Sequence, residues 1–289
     1  MTRGQAQADL AARLGSPSEA RWLLEHVAGP GTGGDLLGPE AADRLAVLAD
    51  RRLAGEPLQY VLGQWAFRTL ELGVDPRVLV PRPETEQVVE VALRELAWVA
   101  QSHDLPVACD LGTGSGAIAL SLAVEGASRH PGLEVWATDA DPRALERAAE
   151  NLAMVWAGRP GPGPSVRLCH GCWYEALPAG LRGGLSLVVA NPPYVAEDEW
   201  DDLDPEVRAE PRQALVAAAA SDGTPGLADV EAVLVAAPSW LDRPGSAVVE
   251  MAPHQAAAAL ALAERAGCDE AWVEPDLAGR DRALVARWR

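Results

Sequence analysis

Past about residue 83, short apolar runs alternate with amphipathic stretches, and that alternation limits the folds open to this chain more than any other feature. The runs at 107–111, 133–138, 165–169, 185–190 and 246–251 have the length and the branched-residue content of buried strands. Between them, 84–99, 117–124, 226–241 and 253–266 read as helices, and another opens at Asp141 with Pro142 at its first position. Strands alternating with helices imply a largely parallel sheet covered on both faces, a doubly wound α/β fold. The last two apolar runs, 270–274 and 282–288, read as a terminal hairpin.

The beginning of the chain follows a different rhythm. Apolar residues recur at three- and four-residue spacing over 8–14, 17–27 and 39–53, and Ser16 before Pro17 is a helix start. Residues 1–75 are therefore expected to form a small helical N-terminal domain. From 67 to 80 the apolar residues alternate (Leu70, Leu72, Val74, then Val78 and Val80), which predicts an extended linker running to about residue 82. The second domain would then span 83–289.

Charge narrows the partners. All 24 basic residues are Arg, and the net charge is −18, whereas tight binding to a phosphate backbone needs a basic footprint. Nucleic acid is disfavoured, and a protein partner with a basic surface suits the chain better. Four scattered cysteines, no charged-then-apolar leader and no long uncharged apolar run predict a cytoplasmic, non-membrane protein, expected to be a monomer.

The strand at 107–111 runs into Gly112-Thr113-Gly114-Ser115-Gly116 and then into a helix. Such a turn lets backbone approach a ligand with the helix N-terminus aimed at it. The loop also satisfies the loose dinucleotide fingerprint, so a nicotinamide site stands as an alternative. Two acids favour S-adenosylmethionine. Asp110 precedes the glycines and is placed for the amino-acid end of the cofactor. Asp139 ends the next strand and is placed for both ribose hydroxyls.

Asn191-Pro192-Pro193-Tyr194 follows the most apolar strand, at the end of the sheet where ligands of open α/β folds collect. The tetrapeptide suits methyl transfer to an amide or amine nitrogen. The lone pair of an amide nitrogen is delocalised into the carbonyl, so a site must hold the NH2 group by its hydrogens and aim it. Asn191 can accept one hydrogen bond and the carbonyl of Pro192 another. Pro193 stiffens the backbone between them, and Tyr194 offers an aromatic face to a flat group. A bare Pro-Pro turn closing a strand is the plain alternative.

Taken together these motifs resemble the release factor glutamine N5-methyltransferases. The similar stretches are Arg51-Arg52-Leu53-Ala54-Gly55-Glu56-Pro57-Leu58-Gln59-Tyr60-Val61-Leu62-Gly63, Val80-Pro81-Arg82-Pro83-Glu84-Thr85-Glu86, the loop from Asp110 to Gly116, Asp139, Trp173, the tetrapeptide, and Glu210-Pro211-Arg212-Gln213-Ala214-Leu215. The resemblance implies a class I S-adenosylmethionine-dependent methyltransferase domain, with the helical domain helping to dock a protein. It also implies methylation of the glutamine in the Gly-Gly-Gln loop of class I peptide chain release factors. Asn191 and Pro192 would hold that glutamine, and Trp173 would pack on the adenine. Where the family usually has an acid before the Trp this chain has Cys172, and Ala209 and Glu250-Met251-Ala252 also depart from the pattern.

Other readings stay open on the residues alone. The same tetrapeptide serves an exocyclic adenine amine in nucleic acid once the base is flipped. A cofactor-binding paralogue without turnover is a further alternative. Cys169 and Cys172 have the spacing of a redox pair or zinc half-site, but no matching pair completes a metal set, so reduced thiols and no metal are expected. The acidic run from Glu197 to Asp204 is expected to meet a basic partner surface.

Overall fold

Capping residues decide where the N-terminal helices start. Thr2 and Gln5 form a reciprocal capping box that opens α1 (Arg3–Leu14), five residues before the apolar periodicity becomes visible. Ser16 accepts from the Glu19 amide, and Pro17 starts α2 (Pro17–Ala28). Pro39 starts α3 (Pro39–Leu53), and Leu58–Leu62 makes the short α4. Ala6, Leu10, Leu23, Leu24, Leu45, Ala49, Leu58 and Val61 close into one core. The computed structural model describes residues 1–157, 159 and 165–289. They divide into two units, Met1–Trp65 with Asp204–Ala209, and Ala66–Leu203 with Glu210–Arg289. The single helical turn Pro205–Arg208 thus belongs with the helices. Arg52 reaches both Glu19 (2.7 Å) and Glu206 (2.5 Å) within that unit.

The helical unit ends at Trp65, short of residue 75, and the expected linker is not a free connection. A hairpin of Gln64–Phe67 and Leu70–Gly73 carries the chain onward. Phe67, Leu70 and Leu72 are buried with Val88, Leu96 and Leu120 in the core of the second unit. The alternation was real, but its inward face packs on a helix.

That helix is α7 (Pro142–Trp156), against which Leu70–Gly73 lies; the other helices described in this unit are α5 (Pro83–Val99), α6 (Ala117–Ser121), α8 (Ala228–Ala236) and α9 (Ala256–Arg265). The strands are β1 (Val107–Leu111), β2 (Glu134–Asp139), β3 (Ser165–His170), β4 (Leu185–Ala190), β5 (Leu241–Glu250), β6 (Glu270–Pro275) and β7 (Asp281–Trp288). They make one sheet in the order β3-β2-β1-β4-β5-β7-β6. The first five are parallel, while β7 runs antiparallel to both β5 and β6. The doubly wound fold and the terminal hairpin are as expected.

Side chains alternate across the sheet with the period of two that strands impose. Ala108, Leu187, Val189 and Val248 face a core shared with α5 and α6. Cys109, Val188, Ala190 and Val249 face a second core shared with α8 and α9. Some boundaries move. Pro238 sits in a tight turn after α8, and β5 already begins at Leu241, so the helix expected over 226–241 is shorter. Strand order reverses between β1 and β4, which opens a crevice at their carboxyl ends.

Candidate active site

The crevice is a cavity of about 530 Å³ in the second unit, a size suited to a small organic ligand. Gly112, Thr113, Gly114 and Ser115 line it after β1, Asp139 after β2, Trp173 after β3, and Asn191 and Pro193 after β4. Gly116, Asp110, Pro192 and Tyr194 do not line it.

The loop after β1 is shaped by three left-handed glycines, with φ of 75°, 55° and 85° at Gly112, Gly114 and Gly116. Two amides, of Gly112 and Thr113, donate to the carbonyl of Thr138 (2.9 and 2.8 Å). Beneath it, buried Asn151 on α7 donates to the carbonyls of Ser115 (2.8 Å) and Gly73 (3.0 Å). A Cβ on Gly112 would come within 3.2 Å of the Trp173 ring. Gly112→Ala should therefore lower stability by about 1–2 kcal/mol through left-handed strain and this contact, measured by urea unfolding. An unchanged midpoint would refute the packing described.

Asp110 departs from the expectation of direct contact with a cofactor. It is fully buried under the loop, where Oδ2 accepts from the Thr113 hydroxyl (2.6 Å) and the Ala119 amide (3.0 Å), and Oδ1 has no partner among the described residues. Burial pushes its pKa up to about 7. A carboxyl raised in the folded state binds more protons there than in the unfolded chain. Its contribution is therefore greatest at low pH and is lost as pH rises towards 7. The loss is on the order of 4 kcal/mol at most. Asp110→Asn should flatten the fall in melting temperature between mildly acidic and mildly alkaline buffer. Parallel curves for the variant and the parent would contradict this.

Asp139 keeps free valence. Oδ2 accepts from the Gly114 amide (2.8 Å) and Oδ1 from the Asp141 amide (2.9 Å). Each carboxylate oxygen has a second lone pair, and the group lines the cavity. Trp173 has φ of 45°, unusual for a side chain of its size. Its indole hydrogen-bonds Asp229 on α8, and burial raises the Asp229 pKa. Asp229 lines the same cavity and had no signal in the sequence. Cys172 also lines it. Cys169 and Cys172 are free thiols with raised pKa values, from burial first in each case, which disfavours reactive thiolates.

Around the tetrapeptide the stretches 80–86 and 210–215 come together. Glu210 is buried, accepts from the Val80 amide (2.8 Å) and pairs with Arg82. Gln213 donates to Asp141 (2.6 Å) at the cavity rim. Asn191 donates through Nδ2 to the Thr85 hydroxyl (3.2 Å), and Thr85 donates to Glu250 Oε2 (2.8 Å). Tyr194 does not present its ring to the cavity as expected. Its hydroxyl reaches Glu250 Oε1 (3.3 Å), and burial raises its pKa. Thr85 and Glu250 lie in stretches that the resemblance singles out, but the sequence alone gives neither of them a role in the site.

Comparison with known proteins places this geometry. The family model described as the PrmC N-terminal domain matches residues 3–63. The release factor glutamine methyltransferase of Deinococcus radiodurans is 40% identical over 95% of this chain and 93% of its own length. That of Bordetella pertussis is 41% identical over 95% of this chain and 96% of its own. Among solved structures, the N-terminal domain of human METTL16 in complex with SAH aligns with a TM-score of 0.51 at 15% identity, covering 98% of this chain and 94% of that one. The Thermus thermophilus 16S rRNA N2 G1207 methyltransferase aligns at 0.52 and 17% identity, covering 78% and 50%. These two likenesses concern the fold alone. With near full-length identity around 40% to two curated relatives, the chain belongs to the release factor glutamine methyltransferase family.

Proposed function

We propose that this protein methylates the side-chain amide nitrogen of the glutamine in the Gly-Gly-Gln loop of class I peptide chain release factors, using S-adenosylmethionine. The observation that carries the reading is that Asn191 lines the same cavity as the Gly112–Ser115 loop and Asp139. An amide-holding side chain and a nucleoside cradle therefore share one crevice.

The residues fit the cofactor. Asp139 has lone pairs left for two ribose hydroxyls, and the missing Cβ of Gly112 leaves the Trp173 ring close against the loop. Gly112, Thr113, Gly114, Ser115, Asp139 and Trp173 would hold it, with Gly116 shaping the loop and Asp110 bracing it from below. When bound, the sulfonium supplies an already activated methyl group. The protein then needs chiefly to position the amide, and positioning alone can be worth several orders of magnitude in rate. Asn191 Oδ1 accepts one N–H of the substrate glutamine; the resemblance assigns the other to the Pro192 carbonyl, although Pro192 does not line the cavity as it stands, and Pro193 restricts the backbone beside Asn191. Tyr194 supports the tetrapeptide through Glu250 rather than by stacking on substrate.

The exposed acidic turn Glu197–Asp202 suits a basic surface on the release factor, and the helical unit serves in docking. The enzyme acts as a monomer in the cytoplasm, which sedimentation and fractionation would check. Among the described residues no helix is long and apolar enough to cross a membrane. The direct test incubates the protein and labelled S-adenosylmethionine with purified release factor, ribosomal protein and DNA in parallel. Label on the release factor alone is expected, and label only on nucleic acid or ribosomal protein would overturn the assignment.

A further inference from the structure

Asn191 can hold a substrate amide by its carbonyl oxygen only if its own amide is turned one way. Rotation by half a turn about the last side-chain bond exchanges Oδ1 and Nδ2 at almost no intrinsic energy. Something nearby must choose. The neighbour of Asn191 is the Thr85 hydroxyl on α5, which is nearly inaccessible to solvent. A hydroxyl has one hydrogen to give. The hydrogen of Thr85 is committed to Glu250 Oε2 at 2.8 Å, because an ionised carboxylate accepts and cannot donate. Oγ1 is left as an acceptor, and of the two Asn191 atoms only Nδ2 can donate to it.

We infer that Thr85 and Glu250 are positioning residues that lock the Asn191 amide, so that Nδ2 faces α5 and Oδ1 faces the cavity. Glu250 is itself fixed, since the Tyr194 hydroxyl occupies its other oxygen at 3.3 Å. Asn191, Thr85, Glu250 and Tyr194 thus form a closed set of hydrogen bonds running from one end of the tetrapeptide through α5 and the end of β5 to its other end. The polarity holds when Glu250 is ionised. Burial raises its pKa to about 7, while the Thr85 and Tyr194 hydrogen bonds and the Arg282 guanidinium on β7 oppose the rise; Glu84 adds to it. Above that pH the direction of the set is unambiguous.

This inference rests on the proposed role of Asn191, so its test has one arm that needs turnover and one that does not. Both are run above the Glu250 pKa with Thr85→Val, which keeps the shape and removes the hydroxyl, and with Thr85→Ser, which restores the hydroxyl. With release factor as substrate, Thr85→Val should lower kcat about 10- to 100-fold, because Asn191 loses the partner that fixes both the orientation and the position of its amide, and a small misplacement of a positioning group costs up to about 100-fold in rate. Its Kd for S-adenosylhomocysteine should stay within about threefold, as should kcat of Thr85→Ser. In the second arm, the side-chain NH2 signals of Asn191 are followed by NMR in the cofactor-bound protein. They should move in Thr85→Val and return in Thr85→Ser. Wild-type kcat in Thr85→Val, kcat and cofactor affinity lost in proportion, or Asn191 signals indifferent to Thr85 would each overturn the lock. If the wild-type protein transfers no methyl to release factor, the proposed function fails while the NMR arm still decides the orientation.

Discussion

Replacing Asn191 by Ala should lower kcat for release-factor methylation by about 100- to 1,000-fold, the range found when one preorganised hydrogen-bonding group is removed from an active site. Asn191 is the only tetrapeptide residue besides Pro193 that lines the cavity, and its hydrogen bond to Thr85 uses Nδ2 and not the carbonyl oxygen. The substitution removes an acceptor for the substrate amide without touching the loop after β1. Binding of S-adenosylhomocysteine, read by calorimetry, should therefore change by less than about threefold. Equal loss of turnover and of cofactor binding would mean that Asn191 serves the cofactor pocket and not the substrate.

The second large effect falls on the other side of the crevice. Asp139→Ala should weaken S-adenosylhomocysteine binding by about 1.5–3 kcal/mol, the usual contribution of hydrogen bonds to a charged group. Two consequences combine. The ribose acceptors disappear, and the Gly114 and Asp141 amides lose the carboxylate that joins the β1 loop to the start of α7. At saturating cofactor, kcat should recover to near the parent value, since Asp139 makes no hydrogen bond to the tetrapeptide. A Kd unchanged in calorimetry would reject the assignment of Asp139 to the cofactor. A kcat that stays low at saturation would place the residue in the chemistry instead.

The two predictions draw on features of different legibility. The glycine loop, Asp139 and Asn191 could be found because each is a local signal, a strand end followed by residues with unusual backbone or hydrogen-bonding capacity. The alternation of strands and helices gave the layer architecture for the same reason, since periodicity is local. What escaped were pairings between distant segments. Thr85 and Glu250 are far apart in the chain and meet only because α5 packs on the sheet beside β5. Asn151 reads as an ordinary helix residue until the fold brings Gly73 and Ser115 to its amide. Asp229 looks like a first-turn helix acid, and nothing nearby in sequence announces Trp173.

The differences between expectation and structure have the same origin. Asp110 suggests a ligand contact by its charge before the glycines, and Tyr194 by its aromatic face at a strand end. In three dimensions each turns inward and finds a protein partner, Thr113 for one and Glu250 for the other. The alternation from 67 to 80 looks like a linker in the sequence because α7, the helix that Leu70–Gly73 packs on, lies about 70 residues further along the chain. Leu58–Leu62 is too short for a helical period to show.

The central claim is that one crevice joins a methyl donor to a glutamine amide. Tandem mass spectrometry of release factor treated with the enzyme and S-adenosylmethionine tests it most directly. The account predicts a single added methyl on the side-chain nitrogen of the Gly-Gly-Gln glutamine, absent when Asn191→Ala is used for the same short incubation. A methyl on any other residue, or an unmodified loop in the presence of active, cofactor-bound wild-type enzyme, would contradict it.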